Sequence, residues 1–332
     1  LPYSEDFSLP RGFFARRRQI SPPRVYNETN GWRWCAVKYM TAEEAAGRWG
    51  VSVRRVRNYC AGGFVAGALR GGGRWRIPED AAKPCRSRAA SASRAALLEA
   101  LRREKAAGIS GGIYHKVQIE LTYNSNHIEG GSLTHDQTRY IFETDTIAAE
   151  GVALRVDDVV ETANHFRCVD MIIEQARRPL SEAFIKKLHL VLKNGTSDSR
   201  RSWFAAGGYK RLPNEVGGVE TAPPEETAER MRELLASYEK VRERELDDLL
   251  DFHYRFERIH PFQDGNGRVG RLILFKECLR GGVVPFIITD ELRMFYYRGL
   301  SEWERERGYL RDTCLTAQDR FKAYLDYFRI SY

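Results

Sequence analysis

The run His260-Pro261-Phe262-Gln263-Asp264-Gly265-Asn266-Gly267-Arg268-Val269-Gly270-Arg271 sets a histidine, a carboxylate, two glycines around an asparagine and two arginines in one order. Each residue type has a chemical use. An imidazole titrates near neutrality and can take a proton from an incoming hydroxyl. A carboxylate such as Asp264 suits Mg²⁺ bridging phosphate oxygens. Gly265, Asn266, Gly267 and Arg268 open a helix, where unpaired amides and the macrodipole attract an anion. Arg268 and Arg271, three residues apart, add charge-assisted bonds from the same face. Base, metal carboxylate and anion cradle together describe a phosphoryl- or nucleotidyl-transfer site. D-G-N-G alone is an ordinary helix–helix turn; six features in register between two helices point to function. No G-x-x-x-x-G-K-[ST] run occurs in the chain, so a P-loop ATPase does not compete.

Two helices must position this turn. Upstream, Leu246, Leu249, Leu250, His253, Phe256 and Ile259 recur at helical spacing and deliver His260 at the helix end, where Pro261 stops it. Downstream, VGRLILFKECLRGG is a largely apolar helix closed by Gly281 and Gly282. Helical periodicity also covers 113–128, 136–149, 155–177, 181–193, 224–241, 244–259, 267–280 and, in pieces, 290–330. Strand signal in this part is confined to about Arg211–Ala222. The expected fold class is mainly α, an all-α body over 110–332 with one β-hairpin.

The first part of the chain reads differently. Residues 1–34 carry no clear period. Thr41-Ala-Glu-Glu44 is a capping box before a short alanine-rich helix broken at Gly50. Ser52 caps a second helix ended by Gly62-Gly63, and ALRGGGRWRIPED reads as a hairpin. These elements predict a small winged helix-turn-helix over 35–84, followed by a basic linker helix over 85–109. Residues 51–100 hold ten Lys and Arg against three acids, nearly the whole of the chain's net +8, which suggests a polyanion partner for this part.

Hydrophobic residues make up 42% of the chain and charged residues 30%, as in soluble globular proteins. No apolar run approaches the roughly 20 residues of a membrane helix, so no membrane partner is expected. The first residues lack the apolar core of a signal peptide. Cys35, Cys60, Cys85, Cys168, Cys278 and Cys314 form no C-x-x-C pair, and a reducing cytoplasm is the expected location.

The twelve-residue run resembles the H-x-F-x-[DE]-G-N-G-R-x-x-R signature of Fic proteins, which transfer AMP from ATP to hydroxyl side chains of target proteins. The resemblance extends over roughly residues 110–330. Ser125-Asn-His-Ile-Glu129-Gly130 is similar to the family's inhibitory-helix motif, here near 113–130. Gly207-Gly-Tyr209-Lys210 resembles the element before the target-binding hairpin but carries Lys210 where arginine is usual. Tyr296 and Tyr297 match a tyrosine pair that lines the adenine pocket.

The resemblance implies the Fic fold with a hairpin flap, a protein adenylyltransferase using ATP and Mg²⁺, and a target bearing a Tyr, Ser or Thr hydroxyl. His260 would be the base and Asp264 the metal ligand. Gly265, Asn266, Gly267 and Arg268 would hold the α- and β-phosphates, and Arg271 the γ-phosphate. Ser125 and Glu129 lie on one helix face, and a bidentate Glu129–Arg271 pair would repel the γ-phosphate. The flap, Asn214, Glu215, Val216, Gly217, Gly218, Val219, Glu220 and Thr221, would clamp the target by strand addition. Alternatives are a DNA-binding regulator with an idle core, and a Fic enzyme that moves another phosphate-containing group or removes AMP. Gly267 favours AMP over phosphate, because the phosphorylating relatives carry a lysine there. A homodimer is compatible with this reading. Residues 37–80 resemble the MerR/excisionase-like family, which implies DNA contacts from Arg54, Arg55, Arg57, Asn58, Arg70, Arg74 and Arg76.

Overall fold

The computed structural model describes residues 38–51, 53–61, 64–83, 88–147, 151, 153–241 and 244–332. The chain forms two compact units, Leu1–Arg86 and Ser87–Tyr332. Residues 1–34, Ser52, Gly62 and Gly63 lie outside the described residues, as do the side chains of Arg54, Arg55, Asn58 and Val219.

The first unit contains β1 (Tyr39–Met40), α1 (Ala42–Trp49), α2 (Val53–Ala61), β2 (Leu69–Gly71) and β3 (Arg74–Pro78). The Thr41 hydroxyl accepts from the Glu44 amide at 3.2 Å, and the Glu44 carboxylate accepts from the Thr41 amide at 2.7 Å. Gly50, in the left-handed region, ends α1. The sheet order is β1-β3-β2, all antiparallel, with Arg70 opposite Trp75. Ala45, Val56 and Ile77 are fully buried at its core. Strand β1 was not expected from the sequence, since two residues cannot show an alternation.

The second unit contains α3 (Arg88–Ala107), α4 (Ile113–Ile128), α5 (His135–Thr144), α6 (Val156–Glu174), α7 (Glu182–Lys193), the hairpin β4 (Glu215–Val216) and β5 (Val219–Glu220), α8 (Pro224–Glu239), α9 (Leu246–Ile259), α10 (Asn266–Gly281), α11 (Arg293–Ser301) and α12 (Gly308–Tyr327). Helix α10 is buried from Asn266 to Leu279, as a centrally placed helix with no polar face must be. Helices α4, α6, α7 and α9 pack around it and supply Leu121, Val169, Leu188 and Phe256 to one core. Helix α5 stops at Asp145, which takes a left-handed conformation, so the helix is shorter than its periodicity suggests.

Helix α3 corrects one expectation. In place of a linker over 85–109, Leu97, Leu98 and Leu101 are buried in the main core with Ile113 and Ile173. Arg102 donates to the carbonyls of Ile173 and Glu174 at the C-terminal end of α6. The Ala/Ser/Arg-rich first half of the helix masks a leucine stripe in its second half. Because Leu101 is 0% exposed, Leu101→Ala should destabilise the second unit by about 2–5 kcal/mol. The measurement is the shift in urea-unfolding midpoint, and a linker helix would show almost none.

Candidate active site

The turn between α9 and α10 begins at His260, which caps α9 in the left-handed conformation (φ 50°, ψ 62°). It ends at Gly265 (φ 79°), a position where a side chain would be strained. Almost every residue between is fixed from outside. The Asn266 side chain accepts from the Phe262 amide at 2.8 Å and donates to the Phe262 carbonyl at 2.7 Å. The Gln263 amide accepts from Leu212 N at 3.1 Å and donates to Leu212 O at 3.3 Å, as a neighbouring strand would. His189 of α7 stacks on Phe262 (ring centroids 3.9 Å apart) and contacts the Asp264 carbonyl at 3.0 Å. The Gly207 amide donates to its other ring nitrogen, so Nε2 carries the proton toward Asp264.

The flap is fastened to the same turn. Lys210 Nζ donates to Asn214 Oδ1 at 2.7 Å, Thr221 Oγ1 at 2.6 Å and Ile259 O at 3.2 Å. Asn214 also donates to the Phe262 carbonyl at 3.0 Å. Lys210 thus ties both feet of the hairpin to the carbonyl just ahead of His260. Buried among neutral acceptors, its pKa falls to about 8.

Three cations lie at the start of α10. Arg271 is 5% exposed. Its Nε donates to Ser125 Oγ at 3.0 Å, and one terminal nitrogen donates to Ser125 O and to Glu129 Oε1, both at 2.8 Å. The pair with Glu129 is therefore single, not bidentate, because Ser125 takes donors on the same edge of the guanidinium. A Cβ on Gly267 would lie 2.2 Å from Glu129 Oε1, so the glycine admits that carboxylate to the helix end. Arg268 pairs with Glu161 and, at 3.2 Å, with Asp264. Lys193, at the end of α7, pairs with Glu161, Asp264 and Asp198. Glu129, Glu161, Lys193, Asp198, Asp264 and Arg268 line a cavity of about 300 Å³.

Asp264 has 48% of its side chain exposed. Partial burial favours its neutral form, but the Arg268 and Lys193 charges outweigh that and hold its pKa well below the usual carboxylate range. Both cations bond Oδ2, and Oδ1 takes no bond from another described side chain. An ionised, half-exposed carboxylate with one oxygen free of side-chain partners fits a Mg²⁺ ion that shares phosphate oxygens.

His260 has 18% of its side chain exposed. Burial, reinforced by the Lys210 charge, lowers its pKa to about 4. Nδ1 faces the Glu257 carbonyl at 3.3 Å, which makes Nδ1 the protonated nitrogen and leaves Nε2 with its lone pair. Glu257, one turn earlier, is driven by burial to a pKa of about 8. It is a neutral acid 3.9 Å from His260 Nδ1.

The structure thus brings together Ser125, Glu129, His260, Asp264, Gly265, Asn266, Gly267, Arg268 and Arg271. Of the tyrosine pair, Tyr296 is buried with its hydroxyl on His253 Nε2 at 2.6 Å, while Tyr297 is partly exposed and bonds the Ile128 carbonyl. Sequence reasoning missed Glu161, His189, Lys193, Asp198 and Glu257. The first four lie more than 60 residues from the turn and carry no local signal. Glu257 lies in α9, off the apolar stripe that ends at Ile259, and reads in the sequence as a solvent-facing residue. In the first unit, Arg70, Arg74 and Arg76 are exposed, whereas Arg57 is held by Glu43 at 2.9 Å.

Fold and site define a helical domain built around an anion cradle. Residues 179–277 match the Fic/DOC family model. Over 209 residues it is 29% identical to the protein adenylyltransferase Fic of Drosophila grimshawi and to that of Drosophila mojavensis, a stretch covering 60% of this chain. The chain spans about two fifths of the length of those relatives (39% and 38%). Among solved structures, a Fic-domain signaling protein from Bacteroides thetaiotaomicron is 29% identical with a TM-score of 0.53, covering 71% of this chain and 88% of that one. Fic-1 of C. elegans shares the fold with a TM-score of 0.54 at 20% identity, covering 73% and 74%.

The buried histidines set a pH dependence. His165, His189 and His253 have pKa values lowered by burial to about 3, and His260 to about 4. In the unfolded chain each returns to about 6.5. Between these values the unfolded state binds more protons, so stability is present above pH 6.5 and is lost as pH falls toward 4. Glu257, raised to about 8, opposes this with one group against four. Urea midpoints should therefore fall between pH 7 and pH 5.

Proposed function

We propose that this protein is an adenylyltransferase that moves AMP from ATP to a hydroxyl side chain of a target protein. The supporting observation is that one turn carries His260 and Asp264 into the N-terminus of α10, where Asp264 and Arg268 line the cavity with Glu129, the carboxylate that bonds Arg271. His260 Nε2 takes the hydroxyl proton while the hydroxyl oxygen bonds to the α-phosphorus. The bond from that phosphorus to the bridging oxygen of the β-phosphate breaks, and pyrophosphate leaves with the electron pair. The first-turn amides of α10 and Arg268 hold the α- and β-phosphates, and Arg271 takes the γ-phosphate. A Mg²⁺ ion held by Asp264 would supply neutralisation of phosphate charge. The flap lies against the turn that carries His260 and would present the target segment by strand addition. Tyr297, at the open side of the pair with Tyr296, would face the adenine.

Glu129 acts as the inhibitor in this reading. It occupies a donor of Arg271 that the γ-phosphate needs, and its charge repels that phosphate. Glu129→Gly frees the donor and leaves the two bonds from Arg271 to Ser125 in place. With α-labelled ATP, Glu129→Gly should raise label incorporation above wild type, while γ-labelled ATP should give none. His260→Ala in the Glu129→Gly background should lower the rate by about 10²–10⁴-fold. An unchanged rate in Glu129→Gly removes the inhibitory role, and label from the γ position removes AMP transfer.

The first unit suggests a second function, DNA binding. Arg70, Arg74 and Arg76 stand exposed on the β2–β3 hairpin beside two short helices, a geometry suited to phosphate contacts from a wing. Gel shifts with duplex DNA should weaken steeply between about 50 and 200 mM salt. Substituting the three arginines by alanine should abolish them.

A further inference from the structure

Three carboxylates from separate parts of the second unit converge on one ammonium group. Lys193 Nζ lies 2.5 Å from Glu161 of α6, 2.6 Å from Asp264 of the turn and 3.2 Å from Asp198 of the helical turn Asp198–Arg200. Lys193 is 1% exposed, and all four residues border the cavity beside Arg268. An ammonium has three donors, and here each has a carboxylate to meet. A surface lysine would satisfy one acid at no desolvation cost; burying one is expensive unless its charge is needed where it sits.

We propose that Lys193 is a built-in cation of the phosphate site. Its ammonium holds the place of a second divalent ion beside Asp264 and leaves Oδ1 of that carboxylate as the single metal-facing oxygen. Two-metal sites place two positive centres on one phosphate path; in this chain the lysine supplies one of them. Formal charge agrees. With Lys193 and Arg268 the cluster of Glu161, Asp198 and Asp264 carries −1, and without the ammonium it carries −2, which one divalent ion cancels. Among the described residues no three His, Cys, Asp or Glu side chains stand gathered as a ligand set. The three acids are spread around an ammonium and must draw inward, Glu161 and Asp264 by about half an ångström and Asp198 by about one, to reach oxygen–metal distances. Lys193 is a positioning residue, acting on the site through Asp264.

The inference rests on Asp264 as the metal carboxylate. Its test reads metal ions rather than transfer, so the two can fail separately. The whole chain is titrated with Mn²⁺ alone and bound ion is counted by electron paramagnetic resonance. Lys193→Ala and Lys193→Gln should each bind one more Mn²⁺ per chain than wild type, and Lys193→Arg should not. Both neutral variants should melt at lower temperature than wild type in chelator and recover in millimolar Mn²⁺. Asp198→Asn added to Lys193→Ala should abolish the extra ion. Neutral variants that bind no more Mn²⁺ than wild type, or that remain unfolded in Mn²⁺, overturn the proposal.

Discussion

Lys193, Arg268 and Arg271 are all buried beside the start of one helix, and buried cations must be paired. Much of the second unit can be understood as the answer to that requirement. Helix α4 brings Ser125 and Glu129, α6 brings Glu161, the stretch after α7 brings Asp198, and the turn brings Asp264. Four helices packed on α10 are needed because no local stretch could place five partners around one helix end. The helix dipole and first-turn amides add to the same positive field. In the proposed reaction an incoming polyphosphate would meet cations already ordered by the protein's own anions, and would have to exchange partners with them. Glu129 stands at a helix terminus and takes a single hydrogen bond from Arg271, so in the proposed reading displacing it would break one hydrogen bond rather than a buried network.

The protonation states next to this field are separated by burial rather than by direct pairing. His260 lies close to Glu257, yet burial lowers the histidine to about 4 and raises the acid to about 8. Both are neutral between those values, so no ion pair blunts the imidazole. A base of low pKa is fully available at neutral pH but pulls weakly on a proton. That weakness matters less where the developing phosphate charge is held by fixed cations. In the proposed reaction base and cradle would thus have complementary strengths, set by the same desolvation.

The site was legible in the sequence where its signal is local. The glycines, asparagine and arginines of the turn sit within twelve residues, and both bounding helices have plain periodicity. The spacing of Ser125 and Glu129 puts them on one face, although the single rather than bidentate contact with Arg271 depends on how Ser125 fills the guanidinium. Glu161, Lys193 and Asp198 could not be found this way, because each is an ordinary residue until α6 and α7 pack together. Lys193 even reads as a basic residue in the last turn of a helix, a common and unremarked place. Helix α3 escapes sequence reading for a related reason: three leucines within an Ala/Arg-rich segment are weak evidence until Ile173 and Ile113 are seen against them.

Lys210 shows why a departure from a family's pattern can be tolerated. An arginine fork needs planar partners on several sides, whereas an ammonium directs three donors from one point. At this position the acceptors are two side-chain oxygens at the feet of the hairpin and one carbonyl at the end of α9, one for each donor of an ammonium. None is charged, so the lysine joins flap to turn without adding an anion near His260. Its own positive charge helps to keep the imidazole unprotonated. The lysine thus couples two functions through one group: it fixes where a bound segment would lie, and it helps to set the protonation of the base that segment would meet.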